Sequence, residues 1–337
     1  MSLQLETLTN NNAMRKCEQY TLTNPSLLAK PADLPEGYIA TNPSGIWTTT
    51  SQSGKNYDIM YLRVEPEGSH LGKSAVVPYI VDVTDFSKPL LRYNEAEAIM
   101  GEDPSLTRIN RRLSNGAIER IWLLSCVDAQ PFRDRPDDVE SLHTRFYAGS
   151  DLKRLEHIAD GPAGMKDIRI SADNPTGSST KLHIYGRPQP QAYSGNISYT
   201  TVASINDLTE QVIREAPIID ESLMPIGSGV WGGVNDVIRS GAGKNILLTH
   251  RAWCLGEKDE ERHYQAELIE HDTLNNCITV LGVLATADLF PAGTIKKNKS
   301  VGLSDVVFPG GVYNGTLRYV SFGVRDGSIG IGRIQNR

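Results

Sequence analysis

The sequence predicts an all-β fold and, within that class, a five-bladed β-propeller. Three observations support this prediction. Short runs of β-branched and aromatic residues recur along the chain, bounded by Gly, Pro, Asn and Asp. The 30 glycines and 18 prolines supply the turns that many short strands require. Similar polar turns also return at a near-regular spacing, which indicates internal repetition.

Five runs have the composition of strands, because they are rich in branched and aromatic residues and end at turn residues. They are "YDIMYLRV", "IERIWLLSCV", "TKLHIYG", "KNILLTHRAW" and "GTLRYVSFGV". Two stretches look helical: residues 205–216, "INDLTEQVIREA", and, with a weaker pattern, residues 93–101, "YNEAEAIMG". Neither stretch is long enough to define an α/β fold.

Polar turns precede the strand runs at intervals of roughly 60 to 70 residues and divide the chain into five near-equal parts. A repeat of that length holds about four short strands, which is one propeller blade, and a radial arrangement leaves no long sheet edge. A pair of β-sandwiches is the alternative, but it does not explain the spacing. We therefore predict one domain over residues 1–337, with the first 35 or so residues as an extension or cap. The turns are Thr41-Asn42-Pro43-Ser44-Gly45, Glu102-Asp103-Pro104-Ser105, Lys166-Asp167-Ile168-Arg169, Val234-Asn235-Asp236-Val237 and Phe308-Pro309-Gly310-Gly311.

Length and charge limit the function. A chain of 337 residues, 39% of them hydrophobic, can bury a sizeable core. The net charge of −6 and the pI near 5.7 argue against nucleic acid or an anionic membrane as the main partner. No window reaches the roughly 18 to 20 apolar residues of a membrane span. The first residues lack the apolar stretch of a signal peptide, so a cytoplasmic location is expected. A homo-oligomer stays open.

No metal or organic cofactor is expected. The four cysteines have neither C-x-x-C spacing nor a histidine at zinc-ligand spacing. "RSGAGKN" lacks the full P-loop pattern, and no H-E-x-x-H, G-x-S-x-G or EF-hand motif occurs. The chemistry must therefore come from side chains and from a co-substrate.

The recurring turns predict a site. In a propeller the inner strands of all blades run along one axis, so equivalent turns meet at one end. Asn42, Asp103, Asp167, Asp236 and the turn at Phe308 would then surround one pocket, as a binding site requires. Local backbone capping explains any one Asp in a turn equally well, but the five-fold recurrence favours the site.

At these turns the sequence resembles the inverting mannoside phosphorylases of glycoside hydrolase family 130. "YDIMYLRVEPE" is similar to their first-blade signature, and "GEDPSLTRI" resembles their E-D-P-R-I segment. "HTRFYAGSDLKRLEHIADGPAGMKDIRI", "ILLTHRAW" and "VVFPGGVYNGTLRYVSFGVRDGSIGIGRI" follow in the family's order, so the match spans about residues 38–335. The resemblance implies a five-bladed propeller in which Asp103 stands at the position of the proton donor.

Departures from these motifs point to a sister group. Ser105 stands where the phosphorylases carry Arg, Leu155 replaces an aromatic residue, and Thr249-His250-Arg251 replaces Tyr-His-Gly. The chain is more similar to the related β-1,2-mannan group, glycosyltransferase family 108, formerly a domain of unknown function. That resemblance implies mannosyl transfer or phosphorolysis of β-1,2-linked mannooligosaccharides. Phosphate would be the co-substrate, and mannose 1-phosphate or GDP-mannose the activated sugar.

Residue chemistry gives candidates for each step. Inverting phosphorolysis needs a carboxylic acid to protonate the leaving oxygen and cations to hold the anionic nucleophile. Asp103 is the candidate acid, and Glu102 either disfavours its ionisation or is a solvated neighbour. Tyr264, Trp47 and Trp231 offer stacking faces for sugar rings. The candidates for phosphate are Arg63, Lys166, Arg169, Arg187, His250 and Arg251, and those for sugar hydroxyls are Asn42, Asp167, Asn235, Asp236 and Asp326.

Two other functions stay open. In a hydrolase on the same propeller, a second carboxylate would activate water, with Asp167, Asp236 and Asp305 as candidates. A non-enzymatic carbohydrate-binding propeller would have no need for Asp103. The basic residues near the turns favour phosphate, and so the phosphorylase or transferase.

Overall fold

The computed structural model describes residues 16–51, 53–67, 73–128, 142–173, 177–188, 196–220, 223, 229–241, 243–255, 261–292 and 302–337. Their regular structure is almost entirely β, which confirms the predicted all-β class. No helix in these ranges is long and apolar enough to cross a membrane. The strands in chain order are β1 (Tyr20–Leu27), β2 (Tyr38–Thr41), β3 (Trp47–Thr50), β4 (Asn56–Pro66), β5 (Ala75–Val81), β6 (Leu91–Arg92), β7 (Ile99–Met100), β8 (Glu102–Arg112), β9 (Ile118–Asp128), β10 (His143–Gly149), β11 (Glu156–Asp160), β12 (Arg169–Ala172), β13 (Leu182–Gly186), β14 (Ser198–Val202), β15 (Val230–Gly241), β16 (Lys244–Leu255), β17 (Glu261–Asp272), β18 (Cys277–Ala285), β19 (Gly302–Tyr313), β20 (Thr316–Val324) and β21 (Ser328–Asn336).

All five predicted strand runs are strands, namely β4, β9, β13, β16 and β20. The helix predicted over residues 205–216 is only partly present, as a 3₁₀ turn (Ile205–Asp207) and helix α1 (Glu210–Arg214). Thr209 caps α1 by accepting a hydrogen bond from the Val212 amide, so the helix restarts there. The helix over 93–101 was wrong, because Ile99 and Met100 pair with β5 instead. A second 3₁₀ turn covers Ala287–Leu289.

The strands form five antiparallel groups, which are consecutive in the chain except that β1 joins the last group. The first group contains β2 to β7, the second β8 to β11 and the third β12 to β14. The fourth contains β15 to β18, and the fifth contains β19 to β21 with β1. A parallel pairing of β17 with β19 joins the last two groups into one eight-stranded sheet. Strand β1, which lies in the predicted N-terminal extension, pairs with β21; residues 1–15 of that extension lie outside the described residues.

The hydrophobic core is divided into five clusters, each lying between two neighbouring groups. Ile59 and Trp122 belong to the cluster between the first and second groups. Further clusters join the second group to the third, the third to the fourth and the fourth to the fifth. The fifth cluster joins the fifth group back to the first, through Ile331 and Met60. The apolar packing therefore closes into a ring.

Candidate active site

Three of the predicted turn residues have unusual backbone geometry. Asn42, Asp103 and Asp167 have φ angles of 42°, 47° and 58°. This left-handed region is uncommon for side-chain-bearing residues, and Asn and Asp tolerate it best. Asp103 also lies in a register irregularity at the start of β8, between Glu102 and Ser105. These bends turn side chains from three distant turns toward one space.

That space is a cavity of about 110 Å³, and most of the predicted site residues line it. Asn42, Arg63, Asp103, Lys166, Asp167, Arg187, His250, Tyr264 and Asp326 are among them. Glu102, Arg262, Leu303, Val306 and Phe308 complete the lining. The structure thus brings together residues from all five antiparallel groups and from the segments next to their strands.

The candidate acid lines the cavity and lies within a set of hydrogen bonds. Asn42 donates from Nδ2 to Asp103 Oδ1 at 2.7 Å, and Arg63 Nη1 is 3.5 Å from the same oxygen. Arg169 Nη2 lies 3.5 Å from the Asp103 carbonyl oxygen. Asn42 packs tightly against Gly323, where a Cβ atom would overlap Asn42 Oδ1. Asp103 is therefore held by its neighbours at both its side chain and its backbone.

A buried acidic cluster surrounds Arg63. Its Nη2 lies 2.9 Å from Glu65 Oε2 and 3.1 Å from Glu102 Oε1. Burial alone would lower the pKa of Arg63, but Glu102, Glu65 and Asp103 raise it well above its usual value. Burial also raises the pKa of Glu102, and Arg63 offsets only part of that effect. Arg63 therefore stays charged, while Glu102 binds a proton more readily than an exposed glutamate.

Cationic side chains line the cavity around Asp167. Arg187 donates from Nη1 to Asp167 Oδ2 at 2.6 Å. Burial opposes the ionisation of Asp167, but Arg187, Lys166 and Arg169 hold its pKa below the usual range. Burial and Arg187 lower the pKa of Lys166. Within the described ranges the Lys166 side chain forms no hydrogen bond, and the buried Nε atoms of Arg187 and Arg262 have no partner. These cations therefore have donors left for an anion.

His250 lies between these cations as a neutral ring. Its Nδ1 is 2.7 Å from Asn235 Oδ1, and Tyr264 stacks on it with ring centroids 5.8 Å apart. Burial, aided by Arg187, lowers the pKa of His250 to about 3. With Nδ1–H donating to Asn235, Nε2 is free to accept from a sugar hydroxyl or a hydrogen phosphate.

Replacing His250 should change how stability depends on pH. The unfolded chain protonates this histidine from about pH 6.5 downward. The folded chain does not until about pH 3, so the native state loses stability as the pH falls between these values. When the pH falls from 7 to 5, the free energy of unfolding of the original chain should fall by about 2 kcal/mol more than that of His250→Gln. Urea unfolding at both pH values measures this difference. The exposed His157→Gln is the control. If the free energy of unfolding fell equally between the two pH values in all three proteins, the account would be contradicted.

Six predicted residues do not line the cavity: Arg169, Asn235, Asp236, Arg251, Trp47 and Trp231. Asn235 Oδ1 accepts from His250, while its buried Nδ2 has no partner among the described residues. Asp236 accepts the backbone N–H groups of Val237 and Val312, both at 2.8 Å, and burial raises its pKa to about 6. Arg251 donates to Glu267 and to the Leu223 carbonyl oxygen. The two tryptophans contact other aromatic side chains. Trp47 packs against Trp122, and Trp231 donates to the Tyr264 hydroxyl. The predicted contacts of all six residues with substrate stay predictions.

Sequence reasoning missed two charged residues of this site. Glu65 is fully buried beside Arg63, and its position two residues along β4 on the same face was a usable signal. Arg262 lines the cavity at a register irregularity of the parallel β17–β19 pairing. Nothing in "EERHYQ" distinguishes Arg262 from an ordinary surface arginine.

A second cavity of about 350 Å³ is larger but mostly apolar, and it shares Tyr264 with the first. Its walls include Trp253, Leu284 and Cys17. The smaller cavity is the candidate active site because perturbed carboxyl and basic groups converge there. Among the residues with described positions, no group of three or more His, Cys, Asp or Glu side chains could hold a metal ion.

Fold and cavity together define an all-β protein of the propeller type found in GH130 structures. The chain belongs to the family described as Protein of unknown function (DUF1861), which matches residues 74–328. No curated protein matches the chain in sequence.

Similar solved structures cover nearly the whole chain. MPT-1, a GDP-Man-dependent mannosyltransferase from Leishmania mexicana, has a TM-score of 0.72 at 21% identity, over 100% of this chain and 94% of its own. MPT-4, a mannose phosphorylase from Leishmania mexicana in complex with phosphate ion, has a TM-score of 0.68 at 21% identity, over 99% and 92%. A structure from the GH130 family of mannoside phosphorylases, which contains glycoside hydrolases that target beta-1,2 mannosidic linkages in Candida mannan, has a TM-score of 0.52 at 13% identity, over 88% and 84%. At these identities the likeness shows the fold.

Proposed function

We propose that the chain is an inverting mannoside phosphorylase or mannosyltransferase acting on β-1,2-linked mannooligosaccharides, with phosphate or mannose 1-phosphate as co-substrate. One observation supports this most strongly: the cavity combines a candidate acid with cationic side chains. Asp103 lines it, and so do Lys166 and Arg187. Phosphorolysis uses both kinds of group, since the leaving oxygen needs a proton and the phosphate needs cations.

We also propose a five-bladed propeller and membership of glycosyltransferase family 108. The five antiparallel groups would be the blades, and the five hydrophobic clusters between them are the contacts that such a ring needs. The first strands of four consecutive groups, β8, β12, β15 and β19, contact one another in that order, as inner strands would.

The reaction uses the candidate acid and the cationic side chains in turn. Asp103 gives its proton to the glycosidic oxygen, directly or through a sugar hydroxyl, and the bond from that oxygen to the anomeric carbon breaks. A phosphate oxygen attacks the anomeric carbon from the opposite face, which converts the β-mannoside into α-mannose 1-phosphate. Phosphate arrives already ionised, so no carboxylate base is needed. Lys166 and Arg187 hold the phosphate, while Asn42 and Asp326 lie where sugar hydroxyls would bind.

Hydrolysis fits this geometry less well. A hydrolase needs a carboxylate free to activate water. Asp167 forms ion pairs with Arg187 and, at 3.5 Å, with Arg169. Asp236 accepts from two backbone amides, and Asp305 lies 2.6 Å from His263 Nδ1. GDP-mannose is the better-supported alternative donor, because MPT-1 is described as GDP-Man-dependent.

Synthesis distinguishes the donors. The purified protein is incubated with a β-1,2-mannobiose acceptor and either α-mannose 1-phosphate or GDP-mannose, and products are followed by chromatography. We expect mannotriose together with released phosphate from mannose 1-phosphate. Elongation from GDP-mannose alone would make the chain a nucleotide-dependent transferase, and no elongation from either donor would contradict the proposal.

A further inference from the structure

Arg63 lies in an almost completely closed pocket of acidic and hydroxyl groups. Its side chain is 5% exposed and that of Glu65 is 0% exposed. Arg63 and Glu65 are two residues apart on β4, so both side chains lie on the same face of the strand. Ser74 immediately precedes the paired strand β5 and reaches the same pocket.

Glu65 accepts hydrogen bonds from two of the three nitrogens of the Arg63 guanidinium. Its Oε2 accepts from Arg63 Nε at 3.3 Å and from Nη2 at 2.9 Å. Ser74 fixes this arrangement, because it donates to Glu65 Oε2 at 2.7 Å and accepts from Arg63 Nε at 3.2 Å. Only Nη1 points at Asp103, over the longer distance of 3.5 Å. The closest ion pair of Arg63 is therefore made with Glu65 and not with the candidate acid.

We propose that Glu65 is a positioning residue that holds Arg63 in the orientation from which its Nη1 contacts the Asp103 carboxyl. This inference rests on the proposed function only for the role of Asp103 as proton donor. Glu65 orients the guanidinium and offsets its charge. Arg63 can then orient Asp103 without forming the bidentate pair that would stabilise the carboxylate.

Removing the charge of Glu65 should change how readily the neighbouring carboxyl group ionises. An uncompensated Arg63 would favour the ionised form of Glu102, whose Oε1 lies 3.1 Å from Arg63 Nη2. The raised pKa of Glu102 indicates that the pocket does not hold all its carboxyl groups ionised with ease. The titratable and charged groups facing Asp103 are Arg63 and Glu65 from β4, Glu102 from its own strand, Lys166, Asp167 and Arg169 from the segment entering β12, Asp326 from the turn after β20, and Arg187, His250 and Arg262 across the cavity.

Carboxyl titration tests this without requiring activity. The protein is labelled with ¹³C at Asp and Glu carboxyl carbons, and the Glu102 and Asp103 signals are identified by their loss in Glu102→Gln and Asp103→Asn. In Glu65→Gln, which keeps the shape and one acceptor oxygen, we expect the titration of Glu102 to move down by about one pH unit. The alkaline limb of the kcat/KM profile should move the same way. Glu67→Gln, an exposed neighbour just beyond β4, is the matched control and should move neither.

The outcomes separate the two claims. An unmoved titration in a folded Glu65→Gln protein overturns the positioning role. A moved titration in a protein that never transfers mannose leaves the role standing and removes the proposed function. If Glu65→Gln does not fold, Ser74→Ala is titrated instead. It loosens Glu65 and should give a smaller shift in the same direction, and no shift overturns the inference.

Discussion

Asp103→Asn is expected to lower kcat for phosphorolysis of a β-1,2-mannoside by about 10²- to 10⁴-fold, with little change in KM. Asparagine has nearly the same shape and can keep a hydrogen bond to Asn42, but it has no acidic proton to give to the leaving oxygen. The loss should therefore lie in the chemical step. Initial rates of mannose 1-phosphate formation measure it.

Leaving-group dependence identifies the missing step. An aryl β-mannoside has a leaving group that departs as a stable anion, so its cleavage needs less protonation. The decrease in kcat on this substrate in Asp103→Asn should therefore be much smaller. Asp305→Asn is the control, since Asp305 pairs with His263 and does not line the polar cavity. Equal losses on both substrates would show that Asp103 supports the structure of the site and is not its general acid.

Lys166→Met is expected to raise KM for phosphate by about 10- to 100-fold. Lys166 lines the cavity and forms no hydrogen bond among the described residues, so its ammonium is available to the anion. A hydrogen bond to a charged group contributes about 1.5 to 3 kcal/mol, which corresponds to this factor. Methionine keeps the length of the side chain without its charge. KM for the mannoside should change little, because we assign the sugar contacts to other side chains, Asn42 and Asp326.

Two comparisons sharpen this prediction. Lys166→Arg should recover part of the phosphate affinity, because it restores a cation. The exposed Lys181→Met should behave like the original chain, since Lys181 is remote from the cavity lining. If KM for the mannoside rose instead and KM for phosphate did not, Lys166 would contact the sugar and its assignment to phosphate would be wrong.

The strands were predictable because their signal is local. Branched and aromatic runs such as "IERIWLLSCV" fill one strand each, and turn residues mark both ends. The helical signal over 93–101 failed because pairing with β5 decided the structure of Ile99 and Met100. Local sequence cannot contain such a long-range contact. The left-handed geometry of Asn42, Asp103 and Asp167 was consistent with their residue types, but the types alone do not determine it.

Which side chains reach the cavity depends on strand geometry that the sequence shows only in part. Arg251 follows His250 on β16, and strand alternation sends their side chains to opposite faces. A register irregularity between Val234 and Asp236 directs Asn235 toward His250, while Asp236 turns to the backbone of Val237 and Val312. Sequence alone does not reveal such a bulge. Lys166 lines the cavity while Arg169 contacts the Asp103 carbonyl, because the backbone bends at Asp167 between them.

The central claim is that phosphate is the nucleophile that accepts the mannosyl group. Proton and phosphorus NMR can follow the purified protein with β-1,2-mannotriose, with and without inorganic phosphate. We expect α-mannose 1-phosphate to appear only with phosphate, one equivalent for each bond cleaved, and to be nearly absent with Asp103→Asn. Free mannose formed at the same rate without phosphate would contradict the claim.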